Sequence, residues 1–141
     1  MDILTIDLVK DLHHLIKKSL DEKTKVPKAI KNLTQMQILY YLTNNKDKVV
    51  YQKDIGEAIK LRKSSITEQL DYLEEVGIIE RIQDKEDKRR NSIKLSKEAL
   101  QKENEIEDTL KKLNDKATNG IDKNDLELFE KIIKKMEDNL K

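Results

Sequence analysis

Residues 52–95 constrain this chain more than any other stretch. Two short amphipathic patterns flank a tight turn at residues 60–63, and two β-rich segments follow with the run Asp84, Lys85, Glu86, Asp87, Lys88, Arg89, Arg90 between them. The first pattern, residues 52–59, puts Ile55, Ala58 and Ile59 on one face, and Gly56 is small enough to let another helix approach. In the second, Ile66, Leu70, Leu73 and Val76 recur at steps of four, three and three, and Gly77 is placed to stop the helix in a left-handed conformation.

Beyond Gly77, residues 78–82 are rich in β-branched side chains, and Ile93 and Leu95 alternate with Lys94, which predicts two strands around a charged loop. Two helices this short, joined by so tight a turn, form a helix-turn-helix. The hairpin after them is the candidate wing.

The flanks read as longer helices. Leu8, Leu12, Leu15 and Ile16 repeat at helical spacing, widened by Ile3, Leu4, Val9 and Leu20, in a helix expected to stop before Pro27. Thr34 and Gln37 are spaced as a capping box, with Leu33 and Ile38 as a hydrophobic staple, for a helix reaching about Asn44 and burying Met36, Leu39, Tyr40 and Leu42. Ser96 is the expected N-cap of a fifth helix, stapled by Leu95 and Leu100 and continued by Ile106, Leu110, Leu113 and Ala117 as far as Gly120. A sixth starts at Asp122, stapled by Ile121 and Leu126, and is expected to bury Phe129, Ile132, Ile133, Met136 and Leu140. The fold class is therefore mainly α with a small β-hairpin. The 141 residues suit one domain: residues 33–96 form a central lobe, and residues 1–32 and 97–141 form helical flanks.

Three glycines, one proline and 40% charged residues favour long helices with solvated faces. The absence of cysteine excludes disulfides, thiolate-ligated zinc and thiol catalysis within the chain. No apolar run approaches the ~20 residues that span a bilayer, so the expectation is a cytoplasmic protein with no membrane partner. No Gly-rich phosphate loop and no spaced His/Asp/Glu set is evident, so neither an enzyme nor a cofactor or metal site is expected.

The formal charge of +1 conceals an uneven distribution, because residues 85–97 hold six basic and two acidic side chains. A local basic cluster of this kind is an electrostatic footprint for nucleic acid even when the whole chain is nearly neutral. At the start of the second short helix, Ser64, Ser65 and Thr67 are short donors and acceptors, and Gln69 has the side chain that pairs with an adenine edge. Arg62, Lys63 and the helix N-terminus suit phosphates, and Lys53 joins them as a candidate contact.

In the order Ile55, Gly56, Ile59, Leu61, Lys63, Ser64, Ile66, Thr67, Asp71, Leu73, Glu74, Gly77, Ile78, Ile79, Arg81, Asp84, Asp87, Arg89, the chain resembles the MarR family of transcription regulators, and the likeness extends along its whole length. The resemblance implies a winged helix-turn-helix flanked by N- and C-terminal dimerisation helices. It implies a homodimer on a pseudo-palindromic operator in double-stranded DNA, with one helix per subunit in the major groove and one wing in the minor groove. Arg89 matches the arginine that the family lays into the minor groove, Asp87 the carboxylate that orients it, and Lys85, Lys88 and Arg90 would then meet phosphates. Repression is the family's commoner mode. Family members often respond to a small aromatic or anionic effector held between the dimerisation helices and the lobe, for which His13, His14, Tyr40 and Tyr41 are the candidates here.

The chain departs from the family's pattern at Arg62, where a capping serine is usual, which would shift the cap to Ser65 with Glu68. Glu68, Tyr72 and Lys88 stand at positions that are often arginine. A carboxylate at 68 repels phosphate but can accept a hydrogen bond from a cytosine amino group. The alternative to a DNA reader is a winged-helix protein-interaction module without specific DNA binding.

Overall fold

The computed structural model describes residues 3–22 and 29–141, with the side chains of residues 21 and 22 left aside; the stop expected before Pro27 lies outside them. Among the described residues, seven helices and three short strands follow in the order α1 (Thr5–Glu22), α2 (Leu33–Asn44), β1 (Val50–Tyr51), α3 (Gln52–Ile59), α4 (Lys63–Glu75), β2 (Ile79–Gln83), β3 (Asn91–Leu95), α5 (Lys97–Gln101), α6 (Glu103–Thr118) and α7 (Lys123–Leu140).

The core belongs to the central lobe and to what leans on it. Met36, Ile38 and Leu39 of α2, Ile55 of α3, and Ile66, Leu70 and Leu73 of α4 meet Ile79, Ile93 and Leu95 of the sheet, and Ile106 of α6 closes the cluster. Fully burying an aliphatic side chain of this size stabilises by about 1.5–3 kcal/mol. The sheet has the antiparallel order β1-β3-β2, with Arg81 opposite Ile93 and Val50 on the other side of the same residue. Strand β1 has only two residues, too few for any alternation to announce it in the sequence.

Local chemistry explains most of the ends. Helix α4 closes with Ile78 N–H donating to Leu73 O at 2.9 Å and Gly77 N–H to Glu74 O at 3.0 Å, with Gly77 at φ 79°. This is the Schellman arrangement, which requires a left-handed residue at the glycine. Ser96 caps α5 by accepting from the Ala99 N–H at 3.2 Å, as its position predicts.

Elsewhere the structure corrects the sequence reading. Helix α2 is capped not by Thr34 but by Asn32, whose side chain accepts from Gln35 N–H at 2.8 Å, while Gln35 Oε1 accepts from Lys31 N–H at 2.7 Å. This reciprocal pair starts the helix earlier and leaves Thr34 inside it. Ser65 is not a cap either: α4 begins at Lys63, and its N-cap Arg62 makes no side-chain capping bond. The single helix expected over residues 97–119 breaks at Lys102 (φ −108°, ψ 12°) into α5 and α6, which lets Ala99 and Ile106 both reach the core. Ala58 and Ala117 are exposed, Tyr40 is half-buried, and a Cβ on Gly56 would lie 3.8 Å from Ile66, an ordinary contact that does not demand glycine.

The largest difference concerns the terminal helices. Leu20 of α1 is buried and α1 rests on α6, yet Ile3, Leu4, Leu8, Val9, Leu12 and Leu15 are exposed. No residue of α7 is buried: Phe129 is 52% and Leu140 84% exposed, although both were expected in the interior. Their spacing is that of a buried stripe, but among the described residues nothing covers most of it. One exposed ion pair, Lys60 Nζ to Glu137 Oε2 at 2.7 Å, links α7 to the turn before α4.

Candidate nucleic-acid interface

The turn between α3 and α4 is closed by Lys60 in the left-handed conformation (φ 59°, ψ 43°) and by Leu61 N–H donating to Gly56 O at 3.2 Å. Leu61 packs against the core, which sets the angle between the helices. Helix α4 turns Ile66, Leu70 and Leu73 inward, so the 3.6-residue period brings Ser64, Glu68, Asp71 and Glu75 to the outer face, where all four are exposed. Its first turn carries no carboxylate and no side-chain cap. The free N–H groups there, beside Lys63 and Arg62, present partial positive charge to solvent.

The side chains flanking that outer face are already engaged. Thr67 accepts from Gln52 Nε2 at 2.7 Å and donates to Lys63 O at 2.9 Å, while Tyr72 donates to the Ala29 carbonyl. Gln69 is turned toward α2, where its Oε1 accepts from Gln35 Nε2 at 3.0 Å and from Asn32 Nδ2 at 3.5 Å. Arg81, on β2, pairs with Asp71 and with Glu74 at 3.2 Å, joining the base of the wing to α4. Burial works against its charge, but the two carboxylates outweigh it and raise the guanidinium above its ordinary value. Among the described residues, Ser64, Ser65, Glu68 and Glu75 have no side-chain partner.

Two aspartates fold the wing loop. Asp84 accepts from Glu86 N–H at 3.0 Å and holds Arg90 at 3.0 Å. The Arg90 guanidinium lies 3.9 Å above the Tyr51 ring, a cation–π contact that also ties β1 to the wing. Arg90, which the sequence placed among the phosphate contacts, is thus anchored at the base of the wing with its side chain still 51% exposed. Asp87 accepts from Arg89 N–H at 3.0 Å and binds its side chain through Nε at 3.1 Å and Nη2 at 3.3 Å. Both carboxyls are held below the usual aspartate range: Asp84 by the Glu86 amide and then Arg90, Asp87 by the Arg89 side chain and then its amide.

Arg89 nevertheless stands out at the tip, its side chain 91% exposed and oriented by a carboxylate that leaves its outer edge open. Lys85 and Lys88 are exposed beside it, and Lys53 on α3 is exposed with only a 3.9 Å pairing to Glu57. A cleft of about 700 Å³ opens between α3, α4 and the wing, floored by Leu61 and Ile66 and rimmed by Lys53, Lys63, Arg81 and Arg89. The structure therefore brings the helix start and the wing arginine to the two sides of one concave, cationic face. Of the four ligand candidates, His13 and His14 are exposed on α1, and Tyr40 and Tyr41 are half-buried on α2; none lines this cleft.

Tyr51 and Arg81 carry much of this arrangement but were not among the predicted site residues. The basic side chain at Arg81, facing the acidic pair Asp71 and Glu74 of the preceding helix, was the available signal for the second; nothing in the sequence marks Tyr51 as a platform.

Helix-turn-helix, three-stranded wing and cationic concavity together define a winged-helix protein. Residues 31–90 match the MarR family model. The chain is similar to the transcription regulator MarR from Oenococcus oeni, with 26% identity over 93% of each chain and a TM-score of 0.73. It shares its fold with MepR of S. aureus in a DNA complex, with 21% identity, 99% of this chain and 100% of that one covered, and a TM-score of 0.85. It also shares it with the transcriptional regulator PcaV of Streptomyces coelicolor in complex with its natural ligand, with 18% identity, both chains fully covered and a TM-score of 0.80. Among the described residues no helix is long and apolar enough to cross a membrane.

Proposed function

We propose that this protein is a sequence-specific, double-stranded DNA-binding transcription regulator of the cytoplasm, acting as a homodimer on a pseudo-palindromic operator. The observation that carries this reading is the placement of the uncapped start of α4 and of the outward Arg89 on the two sides of one cationic face. With the helix start in the major groove, Lys63 and Arg62 meet phosphates, and Arg89 enters the adjoining minor groove, where a narrow A·T tract concentrates negative potential. Lys53, Lys85 and Lys88 add sequence-independent, salt-sensitive attraction. The exposed apolar stripes of α1 and α7 support dimerisation, since patches of that kind on a soluble chain mark an interface. Two copies related by a twofold axis would read a symmetric site. Repression, relieved by a small aromatic or anionic effector, completes the reading.

The outer face of α4 also favours a second reading. Glu68, Asp71 and Glu75 are anionic, as suits a winged helix that binds a basic protein surface. Fluorescence anisotropy on DNA from upstream of the reading frame, against random duplex and across a salt series, separates the two. A DNA regulator binds the upstream duplex preferentially at moderate salt, and Arg89→Ala weakens that binding by about 1–3 kcal/mol and relaxes A·T preference. Equal, weak binding to both duplexes rejects the regulator.

A further inference from the structure

Helix α4 presents few side chains that can read a base, because its neighbours have used up most of them. Thr67, Gln69, Asp71 and Tyr72 are all held within the lobe by hydrogen bonds or ion pairs. Gln69 cannot address an adenine without giving up Gln35, whose own side chain is buried and would lose its partner. That leaves Ser64, Ser65 and Glu68 in the first half of the helix; the two hydroxyls can donate or accept and so discriminate little, whereas Glu68, one turn beyond Ser64 at the middle of the outer face, is exposed, unpaired among the described residues and able only to accept. Glu75 is equally free but lies two further turns toward the C-terminal end, beyond the part of the helix that Lys63 and the wing bracket.

An ionised carboxylate is an acceptor only. The major-groove edge offers it two kinds of donor, the cytosine N4 amino group and the adenine N6 amino group, and the latter sits beside the N7 acceptor, which repels a second acceptor. Toward phosphate, the same carboxylate is repulsive. Resting on the DNA-regulator reading above, we infer that Glu68 is the specificity-determining residue of the recognition helix and accepts a hydrogen bond from the amino group of a cytosine, once in each half-site. Glu68 adds discrimination rather than affinity: it is tolerated in the groove only where a cytosine satisfies it, and it penalises every other register.

Selection of duplexes from a random-sequence library by the wild-type protein should return one C·G pair per half-site that Glu68→Ala no longer selects and that Glu68→Gln shifts toward A·T. The decisive comparison uses the selected operator with that cytosine replaced by its 4-deamino analogue, which lacks only the amino group. Wild type should lose about tenfold or more in affinity, and Glu68→Ala, an exposed change whose folding is checked by its melting curve, should be indifferent to the replacement. Equal losses for the two proteins, or a selected site whose C·G pairs do not respond to either substitution, overturn the inference while leaving the regulator intact. A wild-type protein that selects no sequence at all overturns the regulator reading, and this inference with it.

Discussion

The central lobe and the terminal helices are built from the same kind of sequence and end in opposite conditions. In the lobe, α2, α3, α4 and the sheet bury most of their apolar side chains, with Met36, Ile38, Leu39, Ile55, Leu70 and Leu73 without accessible surface. Helices α1 and α7 repeat apolar residues with equal regularity, yet their stripes remain open. Periodicity reports that a face will be covered; it does not say whether the cover belongs to the same chain. In the lobe the covering partners are other elements of the same chain, whereas most of the α1 and α7 stripe faces nothing among the described residues.

Matched truncations are the strongest way to break this contrast. Leu73→Ala should cost about 2–5 kcal/mol in urea unfolding, a loss whose size does not depend on protein concentration. Phe129→Ala should act only through association, so its effect should fade as the protein is diluted; a loss at Phe129 that persists on dilution would place α7 in the chain's own core. A sharper version pairs Phe129→Asp with Ile132→Asp, for which light scattering should give the mass of one chain while the lobe melts as before. A dimer surviving both charges would move the interface off α7.

Smaller effects distinguish the devices inside the lobe. Gly77→Ala meets open space for its Cβ but a φ of 79°, so strain alone should cost about 1–2 kcal/mol, measurable as a lowered urea midpoint. No change would mean that the Schellman end of α4 relaxes freely. The smallest effect is expected in the wing. Asp84 and Asp87 are depressed from an ordinary value of 3.8, so the order they impose is fully present above that pH and lost as pH falls through their lower folded values. The protection of the amides of residues 84–90, measured against their intrinsic exchange rate at each pH, should accordingly be unchanged from pH 8 to 5; loosening within that interval would contradict the two aspartate turns.

Much of the geometry of the lobe is legible in the sequence, because its parts are local. The left-handed stop at Gly77, the Ser96 cap and the bounds of α3 each depend on residues a few positions apart, and the Asp87–Arg89 pair follows from the family resemblance. What misled were side chains with more than one available partner. Gln69 reads as a base contact until Gln35 is seen beside it, and Arg90 as a phosphate contact until Tyr51, 39 positions earlier, is found under it. Thr34 and Gln37 satisfy a capping pattern, but Asn32 and Gln35 satisfy it as well, and only the pair that also reaches Gln69 is tied into the lobe.

By itself, then, the sequence determined the succession of elements and the family resemblance, since helical period, turn residues and charge runs act over one or two turns of chain. Tertiary structure alone decided that β1 exists, that α5 and α6 separate at Lys102, and which polar side chains remain free to meet a ligand. Those outcomes depend on which groups, distant along the chain, come within 3 or 4 Å of one another, and a buried or competing hydrogen bond there outweighs any preference that a residue expresses alone.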